Sequence, residues 1–526
     1  MPLSLDSPKA QRRLVAAIVV ATLLPFVGKA FHIDDPLFVW IGKHIVDHPL
    51  DPYGFQVNWA LTPRSVAEIT KNPPLTSYLI AAVGSVAGWS EITLHVAFLL
   101  PAVALGLGTL ELARRLCARP FLAFLVSWLT PVTVLTASGV TCDVLMLALC
   151  VWALVLWRDG RLWTAMTLAG VAAWTKYFGA AFLLLFVLDA LLRRTPLRRW
   201  APPLVVPVAM LAAYQAWTSH LYGRGLLLDA AAYATDWRAG ENIPLLDRAL
   251  MGLSFTGGCM LAALAFAPWL WKVRGWIAAA GVAVIAAYLI ATRATMIADT
   301  ERLAVGVHAA FFVAGGLSLL ALAIDDWRRE KSPDAALLAA WVVGTFVFAS
   351  FVNWTINGRS ILPLVPAAAI LIVRRLPERP RWMSAAAIAV SAIVTLVVTV
   401  GDVQLADAGR EASGIVRAKA AGRTARFEGH WGFQYYMESW GAKPLDMVTA
   451  ELNPGDVVAF GYSNTQIVGL PKSKTGPTDR FEVGSTLPAS TMRSYAGAGF
   501  YASVFGPLPY RLGAMAPERY SMIEVK

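Results

Sequence analysis

The chain has 526 residues, of which 57% are hydrophobic and 15% charged, and its mean hydropathy is +0.57. Soluble domains carry about 25% charged residues, so this composition excludes a water-soluble globular enzyme and identifies a polytopic membrane protein. A net charge of +11 would suit a nucleic-acid partner, but the cations cluster between apolar runs, the positive-inside pattern of cytoplasmic loops, so no nucleic acid is expected.

A spanning helix needs about 20 apolar residues. Lys9, Arg12 and Arg13 precede the first run, 14–30, which reads as an uncleaved anchor because no small-residue cleavage site follows cleanly. Residues 31–72 then form a long external loop that opens on Asp34 and Asp35 and carries His44, Lys71 and Asn72. The next apolar piece, 74–88, is short enough to be interfacial or re-entrant, and counting it as a span would put Arg114 and Arg115 outside. The second span is therefore expected at 92–113. Others are expected at 120–137, 144–157, 162–175, 178–192, 200–219, 249–271, 276–292, 303–324, 335–352, 361–373 and 384–401, making 13. Basic clusters such as Arg158 with Arg161, Arg193 with Arg194, and Arg374, Arg375 and Arg379 then fall on the cytoplasmic side.

An odd number of spans places residues 402–526 on the same external face as Asp34. The expected division is a transmembrane domain, 1–401, and an external soluble domain, 402–526. In the latter, charges, Gly and Pro are evenly spread, and the turn Asn453-Pro454-Gly455-Asp456 precedes the strand-like Val457 to Phe460, as in a small α/β module. The four cysteines, Cys117, Cys142, Cys150 and Cys259, lie in or beside spans and imply no disulfide framework.

The loops assigned to the external face hold the unusual polar residues. Carboxylates at the mouth of a membrane core are costly to desolvate, which makes Asp34 and Asp35 a site hypothesis. Asp143 follows the Ser138-to-Cys142 turn, Lys176 separates two apolar runs, and Tyr222 and Arg224 open the loop 220–248. Asp143 would also complement a helix N-terminus, and Lys176 would also mark a turn by snorkelling. Arg359 precedes an apolar span on the less basic face, where the topology calls for no cation. Together these acids and cations form a place for a charged substrate at the lipid boundary.

Five motifs occur in the order found in one family: Phe31-His32-Ile33-Asp34-Asp35, Lys71-Asn72-Pro73-Pro74-Leu75, Ser138 to Asp143, Ala173-Trp174-Thr175-Lys176, and Asn357-Gly358-Arg359-Ser360-Ile361-Leu362-Pro363. Over residues 10 to 400 the chain resembles the integral-membrane glycosyltransferases of the GT-C fold. It resembles in particular bacterial relatives of dolichyl-phosphate-mannose protein mannosyltransferases and lipid A aminoarabinose transferases. It departs from them in having Asp34-Asp35 for Asp-Glu, Asn72 for the Lys before Pro-Pro, and Ser360 for the Tyr after the arginine.

The resemblance implies an α-helical GT-C-like membrane protein with external juxtamembrane helices, seated in the inner (plasma) membrane. It implies an inverting transfer of sugar from a polyprenyl-phosphate-linked donor to a lipid, glycan or protein acceptor on the external face. Asp34 takes the position of the general base, and Asp35 is left to orient a cation or a sugar hydroxyl. Arg359, Lys176, Lys71 and Arg224 are the candidates for the donor phosphate, because Arg offers a fork and Lys a point charge to its oxygens. Asp143, Asn72, His44 and Tyr222 are candidates for binding substrate or metal. A divalent cation (Mg or Mn) bridging Asp34 and Asp143 is left open, since the sequence shows no closed ligand set. The competing classes are a secondary transporter or lipid flippase, and a membrane scaffold whose external domain binds a partner.

Overall fold

The computed structural model describes residues 7–241, 243–378 and 380–526; Arg379, of the last basic cluster, lies outside them. Each segment expected to span contains helix, although the first helix ends at Leu23 and the piece 249–271 is broken after Cys259. Among the described residues, four helices, or five counting the pair Pro120–Trp128 and Pro131–Ala137 bent by 66°, are long and apolar enough to cross a membrane by themselves. Pro131 accounts for the bend, because it has no N–H to continue the first helix. The expected hairpin helices are shorter, 17 residues at Cys142–Arg158 and 14 at Leu162–Thr175. Helix Leu75–Ala87, in the piece expected to be interfacial, has 13 residues.

The helices pack around Val365–Arg375, whose residues up to Val373 are all buried. The first helix, Pro8–Leu23, lies against Glu91–Leu116, and Gly106 permits the approach: a Cβ there would sit 3.1 Å from Val15 and from Val19. Ser90 starts the second of these helices by accepting a hydrogen bond from the Thr93 N–H, which supplies a partner for one of the free amides of the first turn.

The last helix, Arg381–Ala420, has 40 residues. At 1.5 Å per residue it is about 60 Å long, roughly twice the hydrocarbon thickness, so it carries the chain out of the membrane without a break. The boundary expected at 401/402 falls inside it. Beyond it, five strands form a mixed sheet in the order Lys443–Pro444, Ala425–Glu428, Val457–Gly461, Glu518–Val525, Thr475–Val483. Ala425–Glu428 is parallel to both its neighbours, and the remaining pairs are antiparallel, with Ser521 facing Phe460 and Tyr520 facing Phe481. Phe427, Phe433, Met437, Val457 and the helix residues Ala412 and Val416 make its core.

One stretch of this domain does not belong to its sheet. The strands Leu487–Ser490 and Arg511–Met515, with the turns between them, pack into the membrane-side core, where Phe500, Leu508 and Tyr510 are buried and the Tyr510 hydroxyl donates to the Gly258 carbonyl at 3.0 Å. The expected independence of 402–526 is amended accordingly: the sheet is a separate layer, but the 487–515 stretch is part of the helical body. Gly401 sits at this seam, where a Cβ would lie 2.5 Å from the Ala489 carbonyl oxygen. Gly401→Ala should destabilise the protein by about 1–3 kcal/mol through this overlap. An unchanged thermal midpoint in detergent would show that the seam is looser than described.

Candidate functional site

One end of the helical body and the C-terminal domain line a cavity of about 1220 Å³. Its wall holds Asp34, Lys71, Asn72, Lys176 and Arg359. Ile33, at φ 50°, turns the chain just before Asp34 and Asp35. Asp35 is buried, and its two oxygens accept from the His32 N–H at 3.0 Å and the Val140 N–H at 2.9 Å. It thus fastens the loop after the first helix to the 138–141 turn. Gly139 permits this contact, since a Cβ there would be 3.3 Å from Asp35 Oδ1.

Asp34 remains 28% exposed at the cavity and pairs with Arg359 at 2.6 Å. Arg359 stands on a short helix, Gly358–Ile361, capped by the Asn357 side chain, which accepts from the Ser360 N–H at 2.7 Å. The C-terminal stretch sets the start of this helix. The Gly358 N–H donates to the Phe500 carbonyl at 2.7 Å, and a Cβ on Gly358 would meet the Phe500 ring at 2.2 Å. The next residue, Tyr501, lies over the guanidinium at 5.7 Å. Beside this pair Lys176 donates to the fully buried Asp143 at 2.5 Å.

The other sequence candidates are dispersed. Lys71 lines the cavity but is engaged by Asp229 at 2.6 Å, with its ammonium over the Tyr233 ring. Arg224 shares Asp229 at 3.3 Å. Asn72 contributes its carbonyl, which accepts from the Tyr53 hydroxyl at 2.8 Å. His44 and Tyr222 are not among the cavity-lining residues. The His44 ring packs on His48 and Phe55, and the Tyr222 hydroxyl donates to Asp51 at 2.8 Å and accepts from the Tyr53 N–H, so both serve the internal packing of the first loop.

Sequence reasoning missed a buried network directly behind the site. Lys29 and Asp402, 2% and 0% exposed, pair at 2.6 Å. Asp402 also accepts from the Thr491 hydroxyl at 2.5 Å and the Tyr501 hydroxyl at 2.9 Å. The available signal was a charge at the outer end of the first apolar run and another at the outer end of the last, which are costly in lipid unless they meet.

A divalent cation does not fit these residues well. Magnesium and manganese take several oxygen ligands, but Asp34 and Asp143 already hold Arg359 and Lys176. Asp143 Oδ2 has no partner among the described residues, and no group of three His, Cys, Asp or Glu side chains among them is placed to hold a metal.

Among solved structures, the chain is similar to ArnT from Cupriavidus metallidurans bound to undecaprenyl phosphate, with 15% identity, 87% of this chain and 94% of that one covered, and a TM-score of 0.44. It is similar to the oligosaccharyltransferase AglB from Archaeoglobus fulgidus in complex with an inhibitory peptide and a dolichol-phosphate, with 12% identity, coverage of 83% and 64%, and a TM-score of 0.48. It is also similar to the arabinosyltransferase EmbB from Mycobacterium smegmatis, with 15% identity, coverage of 91% and 47%, and a TM-score of 0.32. No family model matches the chain, and no curated protein matches it. The three structures are GT-C membrane glycosyltransferases, the class that the order of sequence motifs resembles. At these identities and TM-scores they assign no chemistry to this chain, which rests on the site itself.

Two groups at the site, the buried Asp35 and the half-buried His32, give it a pH signature. Burial raises the Asp35 carboxyl from 3.8 to about 6 and lowers the His32 imidazole from 6.5 to about 4. The Asp35 contribution to stability is complete below pH 3.8 and is lost as pH rises through about 6, whereas that of His32 is complete above 6.5 and is lost as pH falls through about 4. The two oppose each other over the same window. Asp35→Asn removes only the first, so its thermal midpoint should fall more steeply than that of the wild type between pH 6.5 and 4. Parallel curves would contradict the assignment.

Proposed function

We propose that the chain is an inverting glycosyltransferase that moves a sugar from a polyprenyl-phosphate donor to an acceptor on the external face of the membrane. The observation that carries this reading is the Arg359–Asp34 pair on the cavity wall, with Lys176 and Asp143 beside it. Tyr177, Phe178, Phe348, Val352 and Trp354 line the same cavity and suit an isoprenoid tail.

Without donor, Asp34 neutralises Arg359. When donor binds, two phosphate oxygens take the guanidinium fork in place of the carboxylate, and Lys176 adds a point charge. Asp34, released, faces the acceptor hydroxyl. The acceptor oxygen attacks the anomeric carbon, the bond from that carbon to the phosphate oxygen breaks, and its electron pair leaves on the phosphate. The acceptor proton passes to Asp34. Charge that grows on the leaving phosphate strengthens its bonds to Arg359, so the interaction favours the transition state over the ground state. Asp35, with both oxygens on backbone amides, positions the loop that carries Asp34.

A transporter or flippase would place its charges near the bilayer midplane on interrupted helices. Here the bent pair Pro120–Trp128 and Pro131–Ala137 carries no charged side chain, and Asp34, Lys176 and Arg359 meet on the wall of one cavity. Sugar release from a short-chain polyprenyl-phosphate hexose by purified protein separates the readings. The enzyme cleaves the donor, whereas a flippase moves it across a liposome uncleaved.

Asp34→Asn should lower turnover by about a hundredfold or more. Arg359→Lys keeps the charge but loses the fork and should still impair turnover, with Arg359→Ala worse. Wild-type rates in both Arg359 variants would remove the phosphate role. The external location makes a separate prediction: a phosphatase-type reporter fused after Lys526 should be active, and a reporter active only in the cytoplasm would reverse the topology.

A further inference from the structure

The charges that line the cavity are not spread around it. Asp34, Arg64, Glu68, Lys71, Lys176 and Arg359 all come from the first 401 residues, whereas every lining residue contributed by the C-terminal domain is uncharged. That second wall combines the rings of Trp431, Tyr501 and Phe505 and the aliphatic Ile467, Val468 and Val504 with the amides of Asn464 and Gln466 and the hydroxyls of Thr465 and Ser494. Trp59 of the first loop adds a further ring to the cavity, packed against His430 at 6.0 Å.

This wall is held in a costly backbone geometry. Six described residues other than glycine have positive φ, and three of them line this cavity: Ile33 at 50°, Trp431 at 63° and Gln466 at 59°. A bulky residue in the left-handed region costs about 1–2 kcal/mol, and such strain persists where surrounding bonds over-determine it, commonly at ligand sites. The bonds are present here. Asn464 Oδ1 accepts from the His430 N–H at 2.8 Å while its amide donates to the His430 carbonyl at 3.2 Å, so the residue before Trp431 is clamped. The buried Glu428 accepts from the N–H groups of Val468 and Gly469 at 2.8 and 2.9 Å, fixing the loop that carries Gln466. The Gln466 side chain is exposed on this fixed loop, at the cavity.

A preorganised, neutral wall of rings and aliphatic side chains with an exposed amide matches a ligand with apolar C–H faces and hydroxyls, and it matches neither a phosphate nor a charged peptide. We propose that this wall is the acceptor subsite and that the acceptor is a neutral carbohydrate, with Trp431 against a sugar ring and Gln466 bonded to its hydroxyls. The inference rests on the transferase reading and names its second substrate. It places the sugar donor at the charged wall and the sugar acceptor at the neutral one, with Asp34 between the two chemistries.

The test is calorimetric titration of the full-length protein in lipid nanodiscs, donor absent, with a set of neutral linear hexose and pentose oligosaccharides and with an uncharged peptide of similar length. At least one oligosaccharide should bind saturably. Its affinity should fall about tenfold in Trp431→Ala and in Gln466→Ala, and Trp431→Phe should recover most of it. In the transfer assay with that oligosaccharide as acceptor, the two alanine variants should raise the acceptor KM by a similar factor, well beyond any change in donor KM. Gln466 is exposed, so Gln466→Ala keeps the test informative should Trp431→Ala fold poorly. Absence of oligosaccharide binding, binding of the peptide alone, or wild-type affinity in Gln466→Ala would overturn the proposal. Protein that cleaves donor but binds no oligosaccharide defeats this subsite alone. Protein that binds oligosaccharide but never cleaves donor defeats the transferase reading and leaves the subsite standing.

Discussion

The ion pair between Lys29 and Asp402 joins residues 373 positions apart, and the arrangement of the site depends on it. Either charge alone, buried at the edge of a membrane core, would be severely destabilising, and removal of one partner of such a pair costs about 3–5 kcal/mol. Their pairing fixes the segment that follows the first helix against the point where the last helix leaves the helical body. Asp402 then gathers the hydroxyls of Thr491 and Tyr501, drawing the 487–515 stretch into the same place. From there the Phe500 carbonyl takes the Gly358 N–H, and the Tyr501 ring covers Arg359. The direction in which Arg359 points is thus set by a segment more than a hundred residues downstream.

This explains why the C-terminal domain cannot be regarded as an appendage. Its sheet is built and packed as an independent layer, yet the stretch between two of its strands returns to the helices and completes the cavity. In the proposed reaction the helical body supplies the charges that grip and release a phosphate. The domain above supplies a fixed, neutral surface. Two ion pairs, Asp34 with Arg359 and Asp143 with Lys176, keep the site charge-balanced before substrate arrives. A phosphate that displaces a carboxylate from Arg359 therefore replaces one anion by another in a low-dielectric wall, which costs less than burying a new charge there.

Much of this was legible in the sequence because it follows from local rules. Apolar runs, basic clusters and punctuating prolines located the helices, and the placement of Asp34, Lys176 and Arg359 on one face followed from counting them. The structure brings those three to one cavity. His44 and Tyr222 were drawn in by residue type alone, and nothing local distinguishes a ring that packs its own loop from one that meets a ligand. Lys29 and Asp402 escaped notice because each looks like an ordinary charge at the end of a span until the two ends are known to meet. The 487–515 stretch escaped for a similar reason. Its Gly, Ala and Ser residues suit close packing against helices as well as they suit a soluble loop, and only the fold decides which.

The central claim is that Asp34 and the donor phosphate compete for Arg359. The most direct measurement is the affinity of the Asp34→Asn variant for a short-chain polyprenyl phosphate, set against that of the wild type at the same ionic strength. Removing the carboxylate frees the guanidinium, so the variant should bind the lipid phosphate several-fold more tightly even as it loses turnover. Unchanged or weaker binding would mean that Asp34 and phosphate do not share Arg359, and the account of the site would be wrong.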